Sequence, residues 1–219
     1  MRVVVTRPEG QEEDLVARLE QLGHDVVHCP LIAIESLGDE PIEVSGYDWV
    51  VVTSANGARE LRRRATGTMP RVAAIGAATA DAFGGADLVP TVSTQEGLLA
   101  ELPRPAGRVL FAAGEGARRL LPEALAADVV TLYRTLELRP TELPTADVYV
   151  VASASSARAL GALCTNGAVV SIGPETSRAA RQAGLDVVAE AVDHSAAGIA
   201  AAVTDLADRR SGSVTRADL

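Results

Sequence analysis

Residues Val50–Arg64 read VVVTSANGARELRRR, and Val150–Leu160 read VVASASSARAL. In each, a short valine run stops at a serine (Ser54, Ser153) and a helical pattern follows. A continuous apolar run without alternation reads as a strand buried on both faces. The serine after it reads as a helix N-cap. Strands of this kind, each passing straight into a helix, are the units of a parallel sheet covered by helices. The pair therefore sets the class as α/β.

The same pattern spans the chain. Strands are expected over 2–6, 25–28, 49–53, 72–75, 109–112, 128–132, 148–152, 169–172 and 186–189. Helices are expected over 10–22, 56–64, 77–83, 94–101, 116–126, 155–163, 175–183 and 195–208. This is a doubly wound arrangement, and it is repeated. The segment from Arg2 and the segment from Arg108 share a strand, a Gly-containing turn, a helix and a "DVV" strand. Val50–Leu102 likewise parallels Val150–Leu206, with "IG" at Ile75-Gly76 and Ile172-Gly173. Two stretches alternate instead: "PLIAIES" (Pro30–Ser36) and "LYRTLEL" (Leu132–Leu138). They read as paired connectors. The expected organisation is two similar α/β domains. One comprises 1–31 with 139–207 and the other 38–131, with 32–37 and 132–138 connecting them and 208–219 a frayed polar tail.

Composition excludes several functions. The 219 residues are 47% hydrophobic and carry a formal net charge of −9, with aromatics at 3%. That balance argues against a nucleic-acid partner, which needs cationic surface and stacking platforms. The one basic run, Arg62–Arg64, reads as a solvated helix C-terminus, favoured by the helix dipole. No apolar stretch is long enough to span a bilayer and the start does not resemble a signal peptide, so the expectation is a cytoplasmic protein. Cys29 and Cys164 read as buried small hydrophobes. His24, His28 and His194 lack ligand spacing with acids or cysteines, and no metal is expected. No phosphate-binding Gly-Lys-Ser/Thr loop, complete dinucleotide fingerprint or nucleophile elbow is present.

What remains is a set of small, polar strand ends: "TRPEG" (6–10), "TSANG" (53–57), "IGAAT" (75–79), "AAGEG" (112–116), "SASS" (153–156) and "IGPET" (172–176). Each leads into a helix start, where free N–H groups and the dipole favour an anion. Taken singly, each is explained by capping. As a set they have a second feature. Arg59 and Arg158 each lie five residues after a strand-end serine, Arg118 and Arg178 sit early in helices, and Arg7 is in the first loop. A cation there opposes the dipole, so a bound anion and plain solvent exposure are both open readings. Glu115 and Glu175 weaken their own two loops as anion sites.

These motifs together resemble the uroporphyrinogen-III synthase family. The resemblance rests on "VVTRP" (4–8), "VVTSANG" (51–57), "VAAIGAATA" (72–80), "LFAAGEGARRLLPEAL" (110–125) with "LYRT" (132–135), "VVASASSARAL" and "SIGPETSRAA" (171–180), and it covers nearly the whole chain. It implies two α/β domains joined by a two-stranded ladder around a cleft. The implied reaction is cyclisation of linear hydroxymethylbilane with loss of water and inversion of ring D. No cofactor takes part, and the protein acts as a monomer on a small-molecule polycarboxylate. It also implies Tyr133 as proton donor to the departing hydroxyl. Arg7, Thr53, Ser54, Thr79, Ser153, Ser155 and Thr176 are then the binders of substrate carboxylates. The alternative from another class is a non-catalytic sensor or binding protein for an anionic small molecule, on the same paired fold.

Overall fold

The structure, a computed structural model, describes residues 1–164 and 166–214. The chain divides into two compact units, Met1–Ala33 with Leu136–Leu219, and Ile34–Thr135.

The first unit opens with β1 (Arg2–Val5), α1 (Glu13–Gln21) and β2 (Asp25–His28). The chain leaves it on β3 (Ile32–Ser36). The second unit then follows as β4 (Ile42–Glu43), β5 (Trp49–Val52), α2 (Ala55–Arg64), β6 (Ala65–Thr66), β7 (Arg71–Ala74), α3 (Ala77–Phe83), α4 (Gln95–Glu101), β8 (Val109–Gly114), α5 (Leu120–Leu125) and β9 (Asp128–Glu137). The chain returns to the first unit through β10 (Val148–Val151), α6 (Ala154–Gly161), β11 (Ala168–Ser171), α7 (Pro174–Gln182), β12 (Asp186–Glu190) and α8 (Ala196–Val214).

The first unit is a parallel sheet in the order β12-β11-β10-β1-β2. Val3, Val4, Val5, Val150 and Val151 are all fully buried. Neighbouring residues along a strand point to opposite faces. Val3, Val5 and Val150 accordingly pack with Leu15, Leu19, Ile199 and Val203, while Val4 and Val151 pack with Ala157, Leu160 and Ala180. In the second unit the order is β3-β9-β8-β5-β7. Val50, Val52 and Leu110 face Ala58, Leu61 and Phe83; Val51 and Phe111 face Leu98, Leu102 and Leu121. Both units therefore have two-sided cores, the condition under which strands lose alternation.

The two sheets share one layout entered at different points. In the first unit the chain runs β1 then β2 outward to one side, and β10, β11 and β12 to the other. In the second it runs β5 then β7 to one side, ending at a single bridge between Ala73 and Leu88, and β8 then β9 to the other. Each sheet thus has a point where strand order reverses, between β1 and β10 and between β5 and β8.

The alternating stretches read as paired connectors do pair: Leu37 N–H donates to Leu132 O at 2.8 Å and Leu138 N–H to Leu31 O at 2.9 Å, so β3 and β9 run antiparallel. Other expectations are corrected in detail. β9 is a single 10-residue strand that absorbs both the expected strand and the connector. The helix expected over 116–126 shrinks to α5, because Gly116 turns at φ 73° and the chain enters the helix only after Arg119. The parallel pair β4–β6, two residues each, has no expected counterpart. Arg64 is buried rather than solvated, and its Nε donates to Glu40 O at 2.9 Å. The tail expected to fray from 208 continues α8 to Val214, and residues 215–219 lie outside the described residues.

Candidate functional site

In an open parallel sheet the ligand crevice lies beyond the carboxyl ends of the strands flanking the reversal. In the second unit these are β5 and β8. β5 ends at Thr53 and Ser54, both half-buried. Ser54 is extended at φ −158°, and its Oγ accepts the Gly57 N–H at 3.0 Å, capping α2. That oxygen also lies 2.9 Å from the hydroxyl of Tyr133, either atom donating. Tyr133 comes from β9, opposite a register shift where it faces Gly114.

At Gly114 the approach is close enough to favour glycine. A methyl group at Gly114 would stand 2.5 Å from Tyr133 Cζ, and one at Gly57 would stand 3.7 Å from Cε1 and 3.1 Å from Ser54 Oγ. The Tyr133 ring therefore rests on bare backbone at the end of β8 and reaches the start of α2. Glu115 N–H donates to Tyr133 O at 2.8 Å and fixes the backbone there. Nearby, α3 starts at Gly76, which offers no side-chain cap, and carries Thr79 buried at its third position.

In the first unit the reversal lies between β1 and β10. Thr6 is fully buried; its Oγ1 donates to Val150 O at 2.8 Å, tying the two strand ends together. The half-buried Arg7 follows, and His28 Nε2 lies 2.9 Å from its carbonyl oxygen. His28 Nδ1 is 3.8 Å from Glu12. The Glu12 carboxyl is held below its ordinary value, chiefly by its own backbone N–H, which outweighs burial, with His28 adding to it. Ser153 is engaged in a reciprocal cap: its Oγ accepts the Ser156 N–H at 3.1 Å and Ser156 Oγ accepts the Ser153 N–H at 3.2 Å. Ser155 Oγ accepts from Arg158 at 3.3 Å. Thr176, on α7, is buried.

Of the residues singled out from sequence, the structure joins Tyr133 directly to Ser54, with Thr53 beside it. Thr79 lies at another helix start of the same unit. Arg7, Ser153, Ser155 and Thr176 belong to the first unit. The early arginines have local partners. Arg118 pairs with Glu96 at 2.6 Å, and Arg178 grips Glu175 with two contacts at 3.0 and 2.8 Å. Pairing with the chain's own carboxylates accounts for Arg118 and Arg178 without a bound anion, whereas Arg59 donates to Asn56 Oδ1 at 3.1 Å and Arg158 to Ser155 Oγ. Sequence reading named Thr6 and Gly114 only within strand-end motifs, and gave no role to His28 or to Gly114 beneath the Tyr133 ring. The available signal was Gly114 itself, since a glycine at a strand end marks close approach of another group.

Burial pushes both the Cys29 and Cys164 thiols up from their ordinary values. Among the described residues, no group of three or more His, Cys, Asp and Glu is placed to hold a metal ion, and no helix is long and apolar enough to cross a membrane.

A family model described as "Uroporphyrinogen-III synthase HemD" matches residues 13–201. A protein of Archaeoglobus fulgidus named "Putative uroporphyrinogen-III synthase" is 30% identical over 208 residues, covering 84% of this chain and 90% of that one. Among solved structures, a mutant uroporphyrinogen III synthase of Thermus thermophilus aligns with TM-score 0.62 at 17% identity, over 95% of this chain and 99% of that one. The uroporphyrinogen-III synthetase of Helicobacter pylori aligns with TM-score 0.59 at 14% identity, over 94% and 100%. At those identities the structures establish a shared fold.

Proposed function

This chain belongs to the uroporphyrinogen-III synthase family, and from that membership we propose that it cyclises hydroxymethylbilane to uroporphyrinogen III, with Tyr133 as proton donor. The observation that carries the reading is the Tyr133 hydroxyl, 2.9 Å from Ser54 Oγ at the strand-order reversal of the second unit. A phenol both donates and accepts a proton. Ser54 is itself fixed by capping α2, so it holds the phenol hydroxyl in a set position.

In the proposed reaction Tyr133 gives its proton to the substrate hydroxyl as the C–O bond breaks, and water leaves. The azafulvene so formed is attacked by ring D, making a carbon–carbon bond and a spiro intermediate. The older bond from that ring D carbon to the methylene of ring C then breaks, and this methylene bonds instead to the other α-carbon of ring D, which inverts the ring. Loss of a proton from the ring carbon restores the pyrrole and balances the proton spent on water. Closure without a guide gives the symmetric I isomer, so the protein's work is chiefly to hold a geometry.

The eight substrate carboxylates need acceptor-binding groups rather than a strong acid or base. We assign that role to the hydroxyls of Thr53, Ser54, Thr79, Ser153, Ser155 and Thr176, with adjacent first-turn N–H groups and Arg7. No cofactor enters the scheme.

The test is to generate hydroxymethylbilane with a porphobilinogen deaminase, add the protein, oxidise the products and separate the isomers. A majority of III isomer is expected. Isomer I alone, formed at the spontaneous rate, would overturn the proposal.

A further inference from the structure

We propose that His28 is a positioning residue for Arg7: its ring N–H fixes the peptide group that follows Arg7 and so aims the guanidinium at a substrate carboxylate. This rests on the assignment of Arg7 to substrate binding above, and it adds a residue outside the motifs that carry the family resemblance.

His28 closes β2, opposite Val5 in the register of the parallel pair. Val5 packs with Leu15 of α1. Paired residues of neighbouring strands share a face of the sheet, so the imidazole stands on the α1 side. There Nε2 lies 2.9 Å from Arg7 O. A carbonyl oxygen only accepts, so Nε2 carries the hydrogen and donates it. At the other edge of the ring, Nδ1 lies 3.8 Å from Glu12 Oε1. Glu12 is itself anchored, its Oε2 accepting the Gln11 N–H at 2.9 Å. The ring is thus held between a carboxylate on one side and the Arg7 carbonyl on the other.

The backbone around Arg7 is fixed at both ends. On the near side, Thr6 N–H donates to Val150 O at 3.3 Å and Thr6 O accepts the Leu31 N–H at 3.4 Å. On the far side, Pro8 keeps Arg7 out of the helical region, and His28 holds the carbonyl between them. Two peptide planes meet at the Arg7 Cα. With both held, the direction of its Cα–Cβ bond is set. The loop then closes on itself, with Pro8 O accepting the Gln11 N–H at 3.1 Å around Gly10 at φ 74°. β1 borders the strand-order reversal of the first unit, so the crevice of that unit is what this loop faces. A long side chain gives up rotamer freedom when it grips a ligand, and a fixed stem leaves less of that freedom to lose.

The experiment is a double-mutant cycle between His28→Leu, which removes the N–H, and Arg7→Ala. Uroporphyrin III, the fluorescent octacarboxylate left when the product is oxidised, is titrated into each variant, and KM and kcat are measured with the coupled deaminase. Arg7→Ala raises Kd about tenfold, the size of one hydrogen bond to a charged group. His28→Leu raises Kd and KM about fivefold, the scale of one side chain's lost freedom, with kcat within about twofold. In the Arg7→Ala background it adds no further rise. His28→Gln, whose amide reaches the Nε2 position, restores wild-type binding. If the leucine variant does not fold, His28→Asn takes its place in the cycle, because its amide stops at the Nδ1 position. A purely structural His28 would lower the melting temperature and multiply Kd by the same factor in both backgrounds, and that result overturns the inference. Wild-type Kd in Arg7→Ala, unchanged Kd in His28→Leu, or no binding of uroporphyrin by wild type overturns it as well. A coupled cycle together with exclusive formation of isomer I would remove the synthase reading and leave the positioning role standing.

Discussion

Tyr133 is the residue on which the chemistry turns. Substituting it with phenylalanine keeps the ring on Gly114 and removes only the hydroxyl, so the fold should be retained while kcat falls about 100-fold, the scale of one proton-transfer group. Equal kcat for Tyr133→Phe and wild type, measured by stopped assay, would remove the phenol from the mechanism. Gly114→Ala makes the complementary test. Its methyl would lie 2.5 Å from Cζ, so the ring must move. The expected result is a loss of about 1–3 kcal/mol in urea unfolding and a fall in kcat comparable to that of the phenylalanine variant. A stable, active alanine variant would mean that the observed ring position is not the working one. Ser54 is legible in the sequence because caps announce themselves. Its contact with Tyr133 is not, because it joins residues 79 positions apart.

At the scale of elements, α2 shows what pattern does and does not reveal. Its buried positions are Gly57, Ala58, Leu61 and Arg64, a helical stripe into which the last arginine falls by phase. Reading Arg62–Arg64 as one solvated block overlooked that phase. Glu60, on the same helix, accepts from Ser36 Oγ at 2.6 Å and is paired with Arg63. Burial raises its carboxyl, but the hydrogen bonds from Arg63 and Ser36 and the Arg63 charge outweigh it, and the net shift is downward. A carboxyl lowered in the fold stabilises fully above its unfolded pKa of about 4.3, and that stability is lost as pH falls through the folded value. Glu60→Gln should therefore cost about 1 kcal/mol at pH 7, with the difference closing below about pH 4. A gap that persists at low pH in chemical unfolding would assign the effect to packing. Strands burying both faces, such as β5 and β10, lie within a residue of their expected limits because an unbroken valine run has few other uses. α5 and the β4–β6 pair are too short to show a period, and the turn at Gly116, not hydrophobicity, decides where α5 begins.

At the scale of the whole chain, the second unit is an insertion in the first. Leu31 O and Leu138 N–H are 2.9 Å apart, so the exit and re-entry points of the first unit are neighbours. Residues 1–33 joined to 136–214 by about four glycine and serine residues should give a folded domain, since such a span is easily closed. Residues 34–135 alone should also fold. Cooperative thermal unfolding of each fragment is the expected result; a broad, non-cooperative transition in the joined one would show that it needs the insert. The register of β1 on β10, Val5 opposite Val150, has a consequence for the protein while it is being made. At about 5–20 residues per second, a ribosome delivers Val150 roughly 7–30 s after Val5. Through that interval the second unit can be completed, while the nascent β1 displays an open apolar edge with nothing to pair on one side. Slowing translation between those two points would lengthen the exposure, and a chaperone that recognises extended valine-rich segments would find its binding site on β1.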